Sequence, residues 1–465
     1  MCSSDLASIV LLTINGIIGS GIFLSPGAVM KVAGTWTPLV YVIAGVFAAV
    51  LAVMFAAAAR WTSENGAAFA YTRVAFGDDV GFYVGLTRFV GAAIAWGVMA
   101  TAVVTTVLTV FGGHEAVTTT NITIGFVLLM VVLLAINLAG TRITKVVNNI
   151  STIGKVAALV LTIVAGLVVL AMTGDNHFSD LTHLEGPDGS PLVPSMDTTA
   201  FVGAMLAAFY AFTGFEGAGS AASEMEDPAR NLPRAIPIGV AVVIVVYVAV
   251  VSVAMMINPT GVLESKDAVV LASAFDNSIV RDLIVLGALV SMFGINVAAS
   301  FNTPRIFDAM SRRRMLPAAA SRTSQRGVPV VAFVVTAVLA IVVPMAFGYS
   351  MRGIMVISSV TRFVQFVMVP LALILCFLGR TRHRPNDVKR SVVLDVVFPI
   401  LSIAASVFLM VEFDWRGQFS NAGGGLNLWA VAAMIVGYVV LPAALYLPWK
   451  LGVYDDTPKQ LPEDR

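Results

Sequence analysis

The sequence predicts an all-α polytopic membrane protein of about twelve transmembrane helices, and three observations predict it. First, the 465 residues are 58% hydrophobic and only 12% charged, with a mean hydropathy of +0.90. Soluble domains carry about 25% charged residues, so the surplus apolar surface must face lipid. Second, apolar runs of about 17–25 residues recur along the whole chain, separated by polar or Gly/Pro-rich turns. Third, two of these runs are interrupted by glycine, about 195 residues apart, in Ile14–Phe23 (INGIIGSGIF) and Phe209–Gly219 (FYAFTGFEGAG). Unwound backbone inside a bilayer survives only where it lines a cavity or is buried in protein. A pair of such breaks in the two halves of a chain points to a substrate site at the membrane midplane, and so to a secondary transporter.

In order, the predicted spans are 6–30, 38–59, 82–111, 122–139, 148–172, 198–222, 235–257, 282–303, 328–348, 353–378, 392–411 and 427–447. The first carries the Gly19-Ser20-Gly21 break, and Met1 stands only about one turn before it, which suggests a truncated start. No basic n-region precedes that run and no Ala-x-Ala site follows it, so no cleavable signal is expected. The third span contains Arg88, near its entry and readable as interfacial, and Trp96, which lines a cavity or faces lipid. The fifth contains Lys155. The connector 173–197, with Asp175, Asp180, Glu185, Asp188 and Asp197, reads as a solvated acidic loop rather than a metal site. The sixth span holds the second break and Glu216, and the tenth holds Arg362. The tail 448–465 is short and polar.

Of the 28 Lys and Arg residues, twenty fall in loops on one side and five on the other; Arg88, Lys155 and Arg362 lie in or at the edge of spans. That bias puts both termini in the cytoplasm and makes the chain a multi-pass plasma-membrane protein, most simply of a bacterial inner membrane. Net charge of +1 gives no reason to expect a nucleic-acid partner. Cys2 and Cys376 lie far apart, and His114, His177, His183 and His383 fall singly in polar loops. No metal spacing, cofactor motif or Ser/Lys dyad is apparent, so an intramembrane enzyme is disfavoured. A channel would need a symmetric filter, which one asymmetric chain does not suggest.

Gly19, Ser20 and Gly21 can leave helical geometry at little steric cost. The amides freed at a half-helix N-terminus, together with the Ser20 hydroxyl, suit a carboxylate. Close helix packing through small residues is the competing explanation, and the matching break in span six weighs against it. There, Gly214 is expected to leave carbonyls around Tyr210 and Thr213 unpaired, as acceptors for an ammonium. Tyr210, Phe212 and Phe215 would close over a ligand or simply pack. Glu216 costs about 2.5–3.5 kcal/mol in a span, so it braces the broken helices or carries a proton. Lys155, about two turns into its span, either snorkels to the edge or inserts between helices as a built-in cation on unwound carbonyls. Burial disfavours the charged form of an amine, which makes it a candidate proton site. Arg362 lies about ten residues into its span and needs an acceptor, either backbone carbonyls or Glu216.

Several stretches resemble the amino acid–polyamine–organocation superfamily in order along the chain. They are Ile18–Phe23 (IGSGIF), Asn65–Gly77 (NGAAFAYTRVAFG) followed by Val80–Gly85, Glu224–Ile236 (EMEDPARNLPRAI), and Asn302–Arg312 (NTPRIFDAMSR). The resemblance implies a leucine-transporter-like 5+5 inverted repeat with helices 1 and 6 broken around the substrate. Repeat 1 would be 6–172 and repeat 2 198–378, with two extra helices in 392–447. It implies Gly19, Ser20 and Gly21 as carboxylate donors and carbonyls near Ile17, Tyr210 and Thr213 as amine acceptors. It also implies that Lys155 stands where sodium-coupled relatives hold Na⁺ between helices 1 and 8, with Ser300 as a neighbour. Arg88 departs from the superfamily's familiar pattern. The expected function is amino acid transport by alternating access, proton-coupled and sodium-independent, with no cofactor. An obligate exchanger is the alternative, and a transport-dead sensor or accessory subunit a more distant one.

Overall fold

The structure, a computed structural model, describes residues 6–62, 66–139, 141–183, 191, 193, 195–215, 228–325, 327–421 and 424–454. Among them there is no β-ladder, only two isolated bridges. The long helices are α1 (Leu6–Ile17), α2 (Gly21–Ala33), α3 (Thr37–Ala59), α4 (Ala68–Phe76), α5 (Asp78–Gly112), α6 (Thr119–Ala139), α7 (Thr141–Thr173) and α8 (Thr198–Phe212). They continue with α9 (Pro228–Ile257), α10 (Ser278–Arg312), α11 (Val330–Ala346), α12 (Met351–Val360), α13 (Phe363–Leu378) and α14 (Phe398–Val411). The last pair, α15 (Leu428–Ile435) and α16 (Leu441–Lys450), is joined by one π-helical turn.

Every expected span carries a helix. Nine stretches of the described residues are long and apolar enough to cross a bilayer, one of them joining α2 to α3 through the 3-10 turn Gly34–Trp36. The helices α8 and α11 are shorter and equally apolar. This is a multi-pass membrane protein. Helix ends follow local chemistry. Asp197 caps α8 by accepting from the Ala200 amide, and Asn277 caps α10 by accepting from Val280. Gly77 at φ +97° lets the chain turn sharply from α4 into α5, whose first turn carries Asp78 and Asp79 where the helix dipole favours them.

Burial separates core from rim. In the α2–α3 and α5 spans 67% of the apolar window is buried inside the protein, against 17% in the last span. The exposed positions of the outer helices are Val, Leu and Ile, such as Val160, Val164 and Leu167 on α7, as a lipid-facing surface requires. In the core, α2 packs on α8, α1 on α9, α3 on α9, α7 on α10, and α5 on both α10 and α11.

Two features go beyond the expected spans. The region between spans two and three contains a buried helix, α4, because its AFAYTRVAF sequence has a face that packs on α5 and α13. Span ten runs from Met351 to Leu378, as expected, with a tight turn inside it. It turns at Thr361–Arg362 between α12 and α13, where the Tyr438 hydroxyl donates to the Thr361 carbonyl at 3.1 Å. Charged groups then tie the segment after α13 to α4 and the start of α5. Arg73 and His383 both reach Asp78, at 3.1 and 3.3 Å, Lys450 pairs with Asp79, and Arg60 pairs with the buried Asp395.

Candidate functional site

The first break is a true interruption. Helix α1 ends at Ile17 and α2 starts at Gly21, with Ile18, Gly19 and Ser20 buried between them. A helix start leaves its first amides outside the hydrogen-bond ladder. Ser20 occupies the cap position without capping. Its hydroxyl lies instead 3.4 Å from the Tyr210 hydroxyl, and both residues are buried. A short polar pair therefore sits beside the start of a half-helix.

Glycine sets the spacing of the two breaks. A Cβ at position 21 would overlap Ala211 Cα, so α2 and α8 approach backbone to backbone. Gly214 adopts φ +115°, a conformation that disfavours side chains, and a Cβ there would overlap the Gly16 carbonyl oxygen. The breaks predicted from sequence are thus in direct contact.

Lys155 completes the first break. Its ammonium donates to the Ile18 carbonyl at 2.7 Å and the Asn15 carbonyl at 3.0 Å, and the residue is 3% exposed. It does not reach the bundle edge. Small residues bring it there: Ser151, Gly154 and Ala158 of α7 face Gly287, Ser291 and Gly294 of α10, and a Cβ at Gly294 would overlap the Ser151 side chain. The same seam supplies partners that sequence reasoning missed. Thr152 donates to the Asn15 side-chain oxygen at 2.9 Å, and Ser291 reaches the Gly19 carbonyl at 3.4 Å. The available signal was the small-residue spacing Ser151-x-x-Gly154 against Ser291-x-x-Gly294.

Other candidates stand differently from expectation. Ser300 donates to the Val297 carbonyl and accepts from Asn137 of α6 at 2.8 Å. It lies nine residues beyond Ser291, about 13 Å along the helix, so Ser291 is the α10 residue at the break. The Tyr210 carbonyl, expected to be unpaired, accepts from both the amide (3.2 Å) and the hydroxyl (2.8 Å) of Thr213. The neighbouring Ala211 carbonyl accepts from the Tyr247 hydroxyl at 3.1 Å. Phe212 is packed between Tyr41 and Tyr247, with ring centroids 6.4 and 5.1 Å away, and Phe215 stacks on Phe366. Trp96 does not face lipid, being fully buried edge-on against Phe333. Glu216 lies outside the described residues, and so does any contact between it and Arg362.

The third interruption, at Thr361–Arg362, adjoins a cavity of about 40 Å³. Its walls are Thr87, Arg88, Gly91 and Ala92 of α5 and Thr361, Arg362 and Gln365 of span ten. Arg88 donates to the Gln365 side-chain oxygen at 2.9 Å. Ser359, two residues before Thr361, donates to the Leu206 carbonyl of α8 at 3.0 Å, one turn before Tyr210.

Interrupted helices touching through glycine, with a buried ammonium on the unwound carbonyls, define a polytopic membrane permease. The amino acid permease family matches residues 5–441, and the chain belongs to that family, within the superfamily that its motifs resemble. It is similar to an uncharacterised transporter of Mycobacterium tuberculosis, 42% identical over 95% of this chain and 93% of the relative. It is also similar to a serine/threonine exchanger of Bacillus subtilis, at 25% identity over 86% of this chain and 88% of that protein. A branched-chain amino acid permease of Bacillus subtilis is 27% identical over 67% of each chain.

Proposed function

We propose that this protein is a secondary active transporter that moves amino acids across the plasma membrane by alternating access, coupled to protons and independent of sodium. The observation that carries the reading is the Lys155 ammonium on the Asn15 and Ile18 carbonyls, 2.7–3.0 Å from each. A cation built into the chain at the unwound backbone takes over the task of an external metal cation there, and its proton can be exchanged during the cycle. The substrate carboxylate would meet the first amides of α2, around Gly19, Ser20 and Gly21, with the Ser20 and Tyr210 hydroxyls beside it. Its ammonium would meet carbonyls near Ile17 and at the end of α8, around Phe212, Thr213 and Gly214. The Tyr210 carbonyl, doubly engaged by Thr213, is the weaker acceptor. Glu216 is assigned as a second proton group or a brace, and Arg362 as a fixed charge of span ten. The repeats would be 6–172 and 198–378, and the Lys/Arg bias favours cytoplasmic termini.

Obligate exchange is the second reading. The double hydrogen bond that holds Lys155 also suits a permanently charged structural ammonium, and one relative is named an exchanger. Uptake of a radiolabelled amino acid panel into proteoliposomes in sodium-free buffer, with and without an inward proton gradient, separates the two. Gradient-stimulated net uptake is expected. Uptake only into preloaded vesicles selects the exchanger, and silence across the panel overturns amino acid transport.

A further inference from the structure

The segment that follows α13, residues 380–390 (RTRHRPNDVKR), is a strap laid across the ends of α3 and α4, and its backbone is fixed there. The amides of Arg382 and His383 donate to the Val74 carbonyl at 3.2 and 3.0 Å, and the Arg382 amide also reaches the Ala75 carbonyl at 3.2 Å. Both carbonyls belong to the last turn of α4, where the helix has no amides left to offer them. Farther along, the Asn386 amide donates to the Trp61 carbonyl at 2.9 Å, and the Arg60 guanidinium donates to the Lys389 carbonyl at 3.4 Å. A strap pinned near both ends presents its side chains as a fixed array.

That array is basic. Exposure alternates along its first half: Arg380, Arg382 and Arg384 are exposed, whereas Thr381, His383 and Pro385 are half-buried. Lys389 and Arg390 are exposed too, which sets five exposed cations against one exposed acid, Asp387. Neighbouring acids are already engaged: Asp78 by Arg73 and His383, Asp79 by Lys450, and the buried Asp395 by Arg60. Like charges held together repel one another, so the array calls for an anionic counterpart from outside the chain. Its surroundings say which kind. The strap joins two membrane spans, Met351–Leu378 and Val393–Val411, and Leu378, Val392 and Val393 beside it are exposed apolar side chains. The cations therefore stand at the border of the apolar belt, where lipid headgroups lie. A basic cluster directly beyond a membrane helix attracts anionic lipid, and the guanidinium fork fits a phosphate in charge and shape.

We infer that the strap 380–390 binds anionic phospholipid headgroups of the leaflet on its side, with the flanking apolar residues against the acyl chains. The strap caps α4, and Arg60 at the end of α3 joins it to Asp395 at the start of the next span. A headgroup held there braces the junction of these helices. The inference does not depend on what the protein transports.

The test takes the full chain in an uncharged detergent at low salt and titrates it with dioctanoyl phosphatidylglycerol or dioctanoyl phosphatidylcholine. Bound lipid is counted by native mass spectrometry, and stability is read in a thermal melt. Binding should favour phosphatidylglycerol by at least about tenfold, raise the melting temperature and weaken as salt is added. One basic residue near an anionic lipid surface is worth about fivefold in binding. Arg380→Gln, Arg382→Gln and Arg384→Gln combined should therefore weaken phosphatidylglycerol binding by about a hundredfold and leave phosphatidylcholine unaffected. Arg352→Gln with Arg416→Gln, exposed at the far ends of the same two spans, should change neither. Equal binding of the two lipids overturns the inference, as does a triple variant that keeps the preference. The same melting shift from inorganic phosphate alone also overturns it, because the strap would then read a free anion. Should the triple variant fail to fold, Arg384→Gln alone decides: a loss of about fivefold is expected, and no loss overturns the inference.

Discussion

Two interruptions in this protein each stand beside a membrane-embedded cation, and they place it differently. At the first break, Lys155 is sealed from surroundings at 3% exposure and spends its donors on the Asn15 and Ile18 carbonyls. At the turn of span ten, Arg362 and Arg88 border a cavity, and Arg88 is steadied by a neutral carboxamide. The first arrangement satisfies backbone that bilayer cannot hydrate. The second sets two arginines in the wall of a small cavity. The difference teaches that an intramembrane cation is not one signal: the same cost of insertion can serve backbone carbonyls, as at Lys155, or a side-chain carboxamide at a cavity wall, as at Arg88.

The largest effect should come from closing the geometry both regions depend on. Gly21→Val places branched carbons where α2 meets the Ala211 backbone. Overpacking costs about 1–3 kcal/mol even where side chains give way, and here backbone must move. Uptake should be lost and thermal stability in detergent should fall. Wild-type uptake by this variant would mean that the two helices do not meet this closely in the working protein.

Next comes Lys155→Met, which keeps the length and removes the charge. Two buried carbonyls lose their donor, at about 1–3 kcal/mol each, and pH-dependent uptake should disappear. If Lys155→Met retained full gradient-driven uptake, the first region would be structural and the contrast with the arginines would narrow. Gly91→Ala addresses the second region. Alanine in a helix interior is favoured over glycine by about 1 kcal/mol, and its Cβ would make only ordinary contacts with Thr361 and Tyr438. Stability should hold or rise, an outcome readable in a thermal melt, and a clear loss would mean that the α5 wall has no room for one methyl group. The smallest effect belongs to Ser300→Ala. Its hydroxyl serves Asn137 and Val297, and inter-helix hydrogen bonds in membranes average about 0.6 kcal/mol. A slight drop in melting temperature with intact uptake is expected, whereas Ser291→Ala, next to Gly19, should impair uptake. Equal effects of the two serines would erase the distinction drawn between them.

The number and order of helices, the glycine breaks and the intramembrane charges were all legible in the chain. Apolar length, helix-breaking residues and charge are local properties, and each leaves its mark within about one span. Gly21 and Gly214 could be singled out because only glycine allows the approach and the φ observed there. The identity of partners was not legible. Lys155 could have snorkelled, Ser300 looked as good a neighbour as Ser291, and the Tyr210 carbonyl was expected to wait for a ligand until Thr213 was found on it. Span ten gave no glycine or proline at Thr361–Arg362 to announce its turn.

Those outcomes depend on how each helix is rotated and slid against its neighbours. That registry is set by small residues on two chains of contact at once, Ser151, Gly154 and Ala158 against Gly287, Ser291 and Gly294. The sequence by itself therefore determined a helical membrane permease with two glycine breaks and three buried or half-buried cations. Only the tertiary structure decided which carbonyls the lysine serves and that the two arginines share a cavity, because a side chain's partner lies on another helix whose position no local pattern encodes.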